Sequence, residues 1–275
     1  MIALELAHVS RDFTTPDGRG YRALDDISLS ISAGSFIAIV GPSGCGKSTV
    51  LNIAAGLLTP SSGEVRVGGE RLIGLNRGAT YMFQQDALLP WKTVRDNVAL
   101  GLTLGGTAKA DAHARADAWL ARVGLAPFAS HYPSQLSGGM RKRVVMAQNW
   151  IIDRGVLLMD EPFSALDVHT RQRMETELLE LWEKTGETAA VAEKKTVVFV
   201  THDLEEAIAL ADQVVVLSAG PAARIVAQHP VTLDRPRDLM ELRTAPAFVD
   251  LYRAIWAILR EEVVKSQRAV EHGRA

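Results

Sequence analysis

FIAIVGPSGCGKST, residues 36–49, decides the fold. Its first five residues, Phe36 to Val40, are apolar without polar alternation, as expected of a strand covered on both faces. They run directly into Gly41, four further residues, then Gly46, Lys47 and Ser48, the pattern of a phosphate loop set between a strand and a helix. The glycines let successive backbone N–H groups turn inward on phosphate oxygens, and the following helix brings its positive end to the same anion. Gly41, Pro42, Ser43, Gly44, Cys45, Gly46, Lys47, Ser48 and Thr49 are therefore the expected phosphate cradle. Lys47 is expected to reach the β and γ phosphates, and the Ser48 hydroxyl to coordinate Mg²⁺. Cys45 fits as a small residue of the loop, at a position that leaves the site open to thiol reagents.

The strand has counterparts. Val156 to Met159, Thr196 to Val200 and Val214 to Leu217 are equally apolar, with helix-like segments between them, which makes an α/β domain with a largely parallel sheet. Ala3 to Val9, Ile27 to Ile31 and Gly63 to Val67 instead alternate, separated by the turn-rich TTPDGRG and TPSSG, and predict an antiparallel β subdomain beside it. From about Asp86 to Asp153 strand signals vanish. There AKADAHARADAWLARVG has helical spacing through Ala112, Ala116, Trp119, Leu120 and Val123, with Gly124 as the stop, so an α-helical subdomain is inserted at 86–153. TAPAFVDLYRAIWAILREEV keeps Phe248, Leu251, Ile255, Ile258 and Leu259 on one face, a helix docked on something. The expected organisation is a nucleotide-binding domain over 1–230 and a carboxy-terminal helical extension over 231–275. The polar TGETAAVAEKK is expected to be exposed.

A net charge of −2 offers no field for nucleic acid, and Arg141-Lys142-Arg143 and Lys194-Lys195 are too short to create one. The single cysteine excludes an internal disulfide, and MIALELAHVS alternates like a strand where a secretory signal needs a basic and then an apolar region. Both point to a reducing, cytoplasmic setting. The apolar runs are of strand length, so any membrane role comes through a partner.

VLLMDEPFSALD places Asp160 and Glu161 at the carboxyl end of a buried strand, where ligands of open α/β sheets collect. Asp160 is expected to hold Mg²⁺ through water, and Glu161 to take a proton from an attacking water. VVFVTHD repeats the arrangement with Thr201 and His202, at the same sheet edge, where the imidazole reaches the γ phosphate. Gln84, in YMFQQDALLPW, supplies a neutral polar group to the metal or the attacking water. In LSGGM, Leu136 to Met140, Ser137 caps a helix, while Gly138 and Gly139 bare backbone N–H groups at its positive end as a second anion site. An ordinary capped helix start explains Ser137 but not the paired glycines.

GPSGCGKST, FQQ, LSGGM, VLLMDEPFSALD and VTHD occur in the order found in ATP-binding cassette proteins. Over residues 1–230 the chain resembles the nucleotide-binding subunit of an ABC transporter. LLPWKTVRDNV, LSGGM followed by RKR, DEPFSALD and THDLEEAIALAD make it similar to the importer ATPases of the nitrate, sulfonate and taurine group. The resemblance implies a P-loop NTPase core of RecA-like type, ATP and Mg²⁺ as cofactors, and ATP hydrolysis as the activity. It assigns Gln84 to the Q-loop, Glu161 as catalytic base, Ser164 to Asp167 to the D-loop and His202 as the switch histidine. Phe13 matches the aromatic that stacks on adenine, with Tyr21 as competitor and a buried strand-end phenylalanine as the plainer alternative.

The resemblance also answers the redundancy of two anion sites. LSGGM of one subunit closes over the γ phosphate held by Lys47 and Ser48 of the other, in a head-to-tail homodimer with two shared sites. It implies a transmembrane permease, a place at the cytoplasmic face of the inner membrane, and indirectly a periplasmic or extracellular solute-binding protein. ALLPWKTV, with Leu88, Leu89 and Trp91, is the expected docking neighbourhood for a cytoplasmic helix of the permease, although Trp91 taken alone is expected in the subunit's own core. Export is the alternative within transport. Cassettes of DNA repair or translation are the alternative outside it, against which stands the lack of coiled-coil heptads. The chain departs from the family pattern at Met140, where many members have glutamine, in AQNWIIDRG before the acidic strand, and in the longer TGETAAVAEKK.

Overall fold

The computed structural model describes residues 1–15, 18–184 and 194–271. Strands β1 (Ile2–Thr14) and β2 (Gly20–Ser32) form a long antiparallel pair that leads into β3 (Phe36–Val40), the phosphate loop and helix α1 (Lys47–Ala54). Next come β4 (Ser62–Val67), β5 (Glu70–Arg71) and β6 (Ala79–Met82), then the helices α2 (Val94–Leu104), α3 (Lys109–Arg122) and α4 (Gly138–Trp150). Alternation resumes with β7 (Val156–Asp160), α5 (Val168–Lys184), β8 (Thr196–Val200), α6 (Leu204–Leu210), β9 (Gln213–Leu217) and β10 (Ile225–Pro230). Helices α7 (Leu239–Leu242) and α8 (Pro246–Glu271) complete the described chain.

Two sheets result. The larger has the order β10-β9-β3-β8-β7-β6, with β9, β3, β8, β7 and β6 mutually parallel and β10 antiparallel at the edge. The smaller, β2-β1-β4-β5, is antiparallel throughout. Side chains alternate across the parallel sheet as strand geometry requires. Phe36, Ala38, Val40, Leu157 and Met159 enter one apolar cluster, while Ile37, Ile39, Val156, Leu158 and Val200 enter another. The first is covered by α4, α5, α6 and α8, the second by α1 and by the inner faces of β1 and β2. Both faces are dry, which is why these strands read as unbroken apolar runs.

β1 and β2 extend well past their alternating segments. Their distal halves pair with each other through Asp12↔Arg22 and Phe13↔Tyr21, where neither face is buried and hydropathy carries no mark. The inserted helices have a core of their own in Val94, Val98, Ala112, Ala116, Leu120 and Val144. Gly124 ends the α3 region with φ 71°, a backbone that glycine adopts without cost. Phe248, Ile255 and Leu259 of α8 lie in the same cluster as Phe36 and Phe199, so the carboxy-terminal segment shares the sheet's core. Burying three such side chains contributes about 1.5–3 kcal/mol each toward docking the helix on the sheet.

Two expectations change. Thr185 to Glu193 of TGETAAVAEKK lie outside the described residues, and its last residue, Lys195, is buried rather than exposed. The Lys195 ammonium donates to the carbonyls of Ile152 (3.0 Å) and Arg154 (2.6 Å) just beyond α4. Trp91 is 72% exposed instead of packed inside, because buried Asn97 donates to the carbonyls of Leu89, Lys92 and Thr93 and folds the preceding loop so that the indole points outward. Among the described residues, no helix is long and apolar enough to cross a membrane.

Candidate active site

Because β3, β8, β7 and β6 are neighbours and parallel, the loops that follow them line one edge of the sheet. These loops carry the phosphate cradle, His202, Glu161 and Gln84, so topology alone assembles four motifs scattered over some 160 residues of chain.

The cradle is shaped by contacts a side chain would break. Gly46 has φ 102°, and a Cβ there would stand 2.7 Å from Leu24 Cδ2 of β2. A Cβ on Gly41 would meet Cys45 Sγ at 2.8 Å. α1 starts at Lys47, immediately after Gly46, and so points its N-terminal amides into the loop. Lys47 is buried and its Nζ donates to the carbonyls of Gly41 (2.9 Å) and Pro42 (3.0 Å), which fold the ammonium over the cradle. Cys45 is 1% exposed, and burial pushes its thiol pKa up. The expected opening to thiol reagents is thus closed by packing, since the reactive thiolate is both shielded and disfavoured.

The Ser48 hydroxyl donates to Asp160 Oδ1 at 3.0 Å, and the Tyr81 hydroxyl to Asp160 Oδ2 at 3.3 Å. Burial raises the Asp160 pKa, and these two hydrogen bonds act against the shift. Tyr81 is a site residue that the sequence reading missed. It lies on β6, and only the pairing of β6 with β7 places it beside Asp160. Among the described residues, no three His, Cys, Asp or Glu side chains cluster to hold a metal. One hydroxyl and one carboxylate beside a phosphate cradle are nevertheless the hard oxygen donors that suit Mg²⁺, which takes few protein ligands and completes its shell with phosphate and water.

Glu161 adopts φ 42°, a left-handed backbone that costs a non-glycine residue about 1–2 kcal/mol. Its N–H donates to the Val200 carbonyl, and its Oε2 lies 3.1 Å from His202 Nδ1. With a proton on both ring nitrogens the imidazole can donate to this carboxylate through Nδ1 and to a further acceptor through Nε2. Gln84 is exposed, and its Nε2 is 3.4 Å from Ser164 Oγ of the loop after Glu161.

LSGGM is not with the cradle. Ser137 Oγ accepts from Met140 N as the N-cap of α4, and Gly138 and Gly139 open the helix beside Asp167 in a separate concavity. A Cβ on Gly139 would stand 2.8 Å from Thr170 Cγ2, whereas one on Gly138 would find its nearest neighbour at 3.8 Å. Packing within the chain therefore accounts for only one glycine of the pair. The segment is nonetheless linked to Gln84: Asp86 pairs with Arg141 (3.1 Å) and Lys142 (2.9 Å), and Lys142 Nζ also donates to the Gln84 carbonyl (2.9 Å).

Phe13 and Tyr21 face each other across β1 and β2. Phe13 is half-buried with the Arg11 guanidinium 4.6 Å from its ring centre, so it is not a buried strand-end residue. The Tyr21 hydroxyl lies against Gly220, which also borders Gly44 of the cradle.

A phosphate loop, a strand-end carboxylate pair and a helical insert whose α4 opens on two glycines define a nucleotide hydrolase of the P-loop class. The chain belongs to the ABC transporter family, whose model matches residues 24–164. It is 38% identical over 271 residues to the taurine import ATP-binding protein TauB of Roseobacter denitrificans, covering 96% of this chain and 97% of that protein. It is 39% identical to the nitrate import ATP-binding protein NrtC of Synechococcus elongatus, covering 95% of this chain but 39% of that one. A dimeric ATP-binding cassette bound to ADP and Pi in a post-hydrolysis state matches 84% of this chain and all of its own, with TM-score 0.70 and 31% identity. The protein is thus an ATPase whose hydrolysis is coupled to transport.

Proposed function

We propose that two copies of this chain, arranged head to tail, hydrolyse ATP at two shared sites to drive import of a nitrate-, sulfonate- or taurine-like solute through a separate permease. The observation that carries the chemistry is the Glu161 carboxylate. It sits one residue beyond the Asp160 that hydrogen-bonds Ser48, and it is braced by His202. Lys47 and the cradle amides hold the β and γ phosphates, and Phe13 with Tyr21 forms the aromatic surface on which the adenine stacks. Ser48, Asp160 and Gln84 are the residues that would hold Mg²⁺, which when bound neutralises charge developing on the phosphates. Glu161 accepts the proton of a water aligned with the γ phosphate, while His202 orients Glu161 and donates toward that phosphate.

Gly138 and Gly139, with Ser137 and Asp167, complete the partner's site. The open space at Gly138 and the N-terminal amides of α4 suit an anion presented from outside the chain. Exposed Trp91 and Phe83 flank the Gln84 loop and offer a cytoplasmic helix of the permease an apolar seat. The ion pairs from Asp86 to α4 then link that seat to LSGGM. The chain works at the cytoplasmic face of the membrane, and a solute-binding protein on the far side delivers the cargo.

Replacing Glu161 with Gln tests the centre of this reading. ATP should bind with unchanged affinity while turnover falls by about 10²–10⁴. Hydrolysis at the parental rate would show that another group takes the proton.

A further inference from the structure

The role of the carboxy-terminal segment is written in a buried polar cluster behind His202. Thr201 and Asp203 flank the imidazole, and the Thr201 hydroxyl accepts from Asp203 N at 3.0 Å while donating to Glu206 Oε2 at 2.5 Å. Glu206, on α6, is 4% exposed. Beneath it lies Glu175 of α5, with no exposure at all. One Glu175 oxygen accepts from Arg243 Nη2 at 2.6 Å, and Arg243 belongs to the segment between α7 and α8. The other, Oε1, is sealed from water without a donor while both carboxyls are ionised. A carboxylate only accepts, so two buried carboxyls side by side are satisfied when one of them carries a proton. The remaining charges around the pair are Arg171, whose Nε is 4.0 Å from Glu206, Asp203, 3.6 Å from Arg171, and Glu205, 3.6 Å from Arg243.

We propose that Arg243, Glu175 and Glu206 are positioning residues for hydrolysis: the carboxy-terminal segment holds the turn bearing His202 through a proton shared by the two buried carboxyls. The inference rests on His202 acting at the γ phosphate, as assigned above. Burial pushes the Glu206 carboxyl up to about 8, with the charges of Glu175 and Asp203 adding to the shift. The shared proton is therefore present at neutral pH and leaves as pH rises through that value. Arg243 lets Glu175 ionise beside Glu206. Without it the pair keeps its proton to higher pH, because two negative charges in one dry space repel.

The test compares steady-state ATPase rate and affinity for a fluorescent ATP analogue in the full chain across pH values bracketing about 8. Glu206→Leu, which cannot accept from Thr201, should lower kcat about ten- to a hundredfold with nucleotide affinity within about twofold of the parent, as expected when a catalytic group is mispositioned. Glu206→Gln keeps an acceptor for Thr201 and a permanent donor to Glu175. It should recover most of that loss and lack the parental decline in kcat above pH 8. In Arg243→Met the decline should move to higher pH.

A Glu206→Leu protein as fast as the parent, or a Glu206→Gln protein with the parental alkaline decline, would overturn the inference. An unmoved decline in Arg243→Met would overturn the part given to the carboxy-terminal segment. His202→Ala separates the two levels. If it is slow while Glu206→Leu is fast, the inference alone fails; if it is as fast as the parent, the assignment of His202 fails and the inference with it. Should Glu206→Leu not fold, the pH profile of Glu206→Gln decides.

Discussion

Gly138 and Gly139 are adjacent in sequence but answer to different constraints, and substituting each separates packing within the chain from assembly between chains. Alanine at 139 would place Cβ 2.8 Å from Thr170 Cγ2, an overlap that the Thr170 methyl must yield to. Overpacking of this kind costs about 1–3 kcal/mol, against about 0.5–1 kcal/mol returned by replacing glycine with alanine in a helix. A net loss of about 1 kcal/mol is expected for Gly139→Ala. Thr170→Ser removes the obstructing methyl, so in that background Gly139→Ala should become neutral or stabilising. A Cβ at 138 meets nothing closer than 3.8 Å, and the position lies in the first turn of α4, where a carboxylate gains about 0.3–1 kcal/mol from the helix amides.

Denaturant unfolding of nucleotide-free protein should therefore show Gly138→Asp equal to the parent or slightly more stable, and Gly139→Ala weaker. ATP-dependent dimerisation, followed by light scattering in a Glu161→Gln background, should be lost in Gly138→Asp because its carboxylate faces the partner's γ phosphate. A Gly138→Asp protein that dimerises normally with ATP, or that unfolds as readily as Gly139→Ala, would refute this account of the glycine pair.

Tyr81→Phe removes one of the two hydroxyls on Asp160 and leaves the ring's packing. The loss of a hydrogen bond of about 0.5–1.5 kcal/mol should weaken the apparent Mg²⁺ affinity about two- to tenfold in a metal titration of ATPase rate, with kcat at saturation little changed. Lys195 gives a stability test. Burial lowers its pKa to about 8 from 10.5, so between those values the unfolded chain binds more protons than the native one and parental stability rises with pH. The gain across that window is on the order of 3 kcal/mol. Lys195→Met should abolish it, as read from the difference between parent and variant in denaturant midpoints at its two ends.

Period and motif were sufficient for the parallel strands. β3 and β8 fall where apolar runs predict them, because a strand dry on both faces needs an unbroken apolar sequence. The phosphate loop, the Asp160–Glu161 pair and His202 were likewise readable, since each follows such a strand and ligands gather at carboxyl ends. Trp91 was not. Its exposure is set by Asn97, a polar side chain eight residues beyond Leu89 whose hydrogen bonds no local pattern announces. Lys195 was misread for a similar reason, because two lysines beside a polar stretch resemble a solvated turn until the carbonyls that follow α4 are placed beside them.

What the sequence determined by itself is the set of chemical parts and their class. Glycine spacing, strand-end carboxylates and helix caps act over a few residues, and their meaning survives without neighbours. What tertiary structure alone decided is which parts touch. Strand order placed Tyr81 against Asp160, the packing of α5 under α4 separated the reasons for Gly138 and Gly139, and the return of the chain after α7 set Arg243 beneath Glu175. Contacts between residues far apart in the chain depend on topology and burial, and neither has a local period to reveal it.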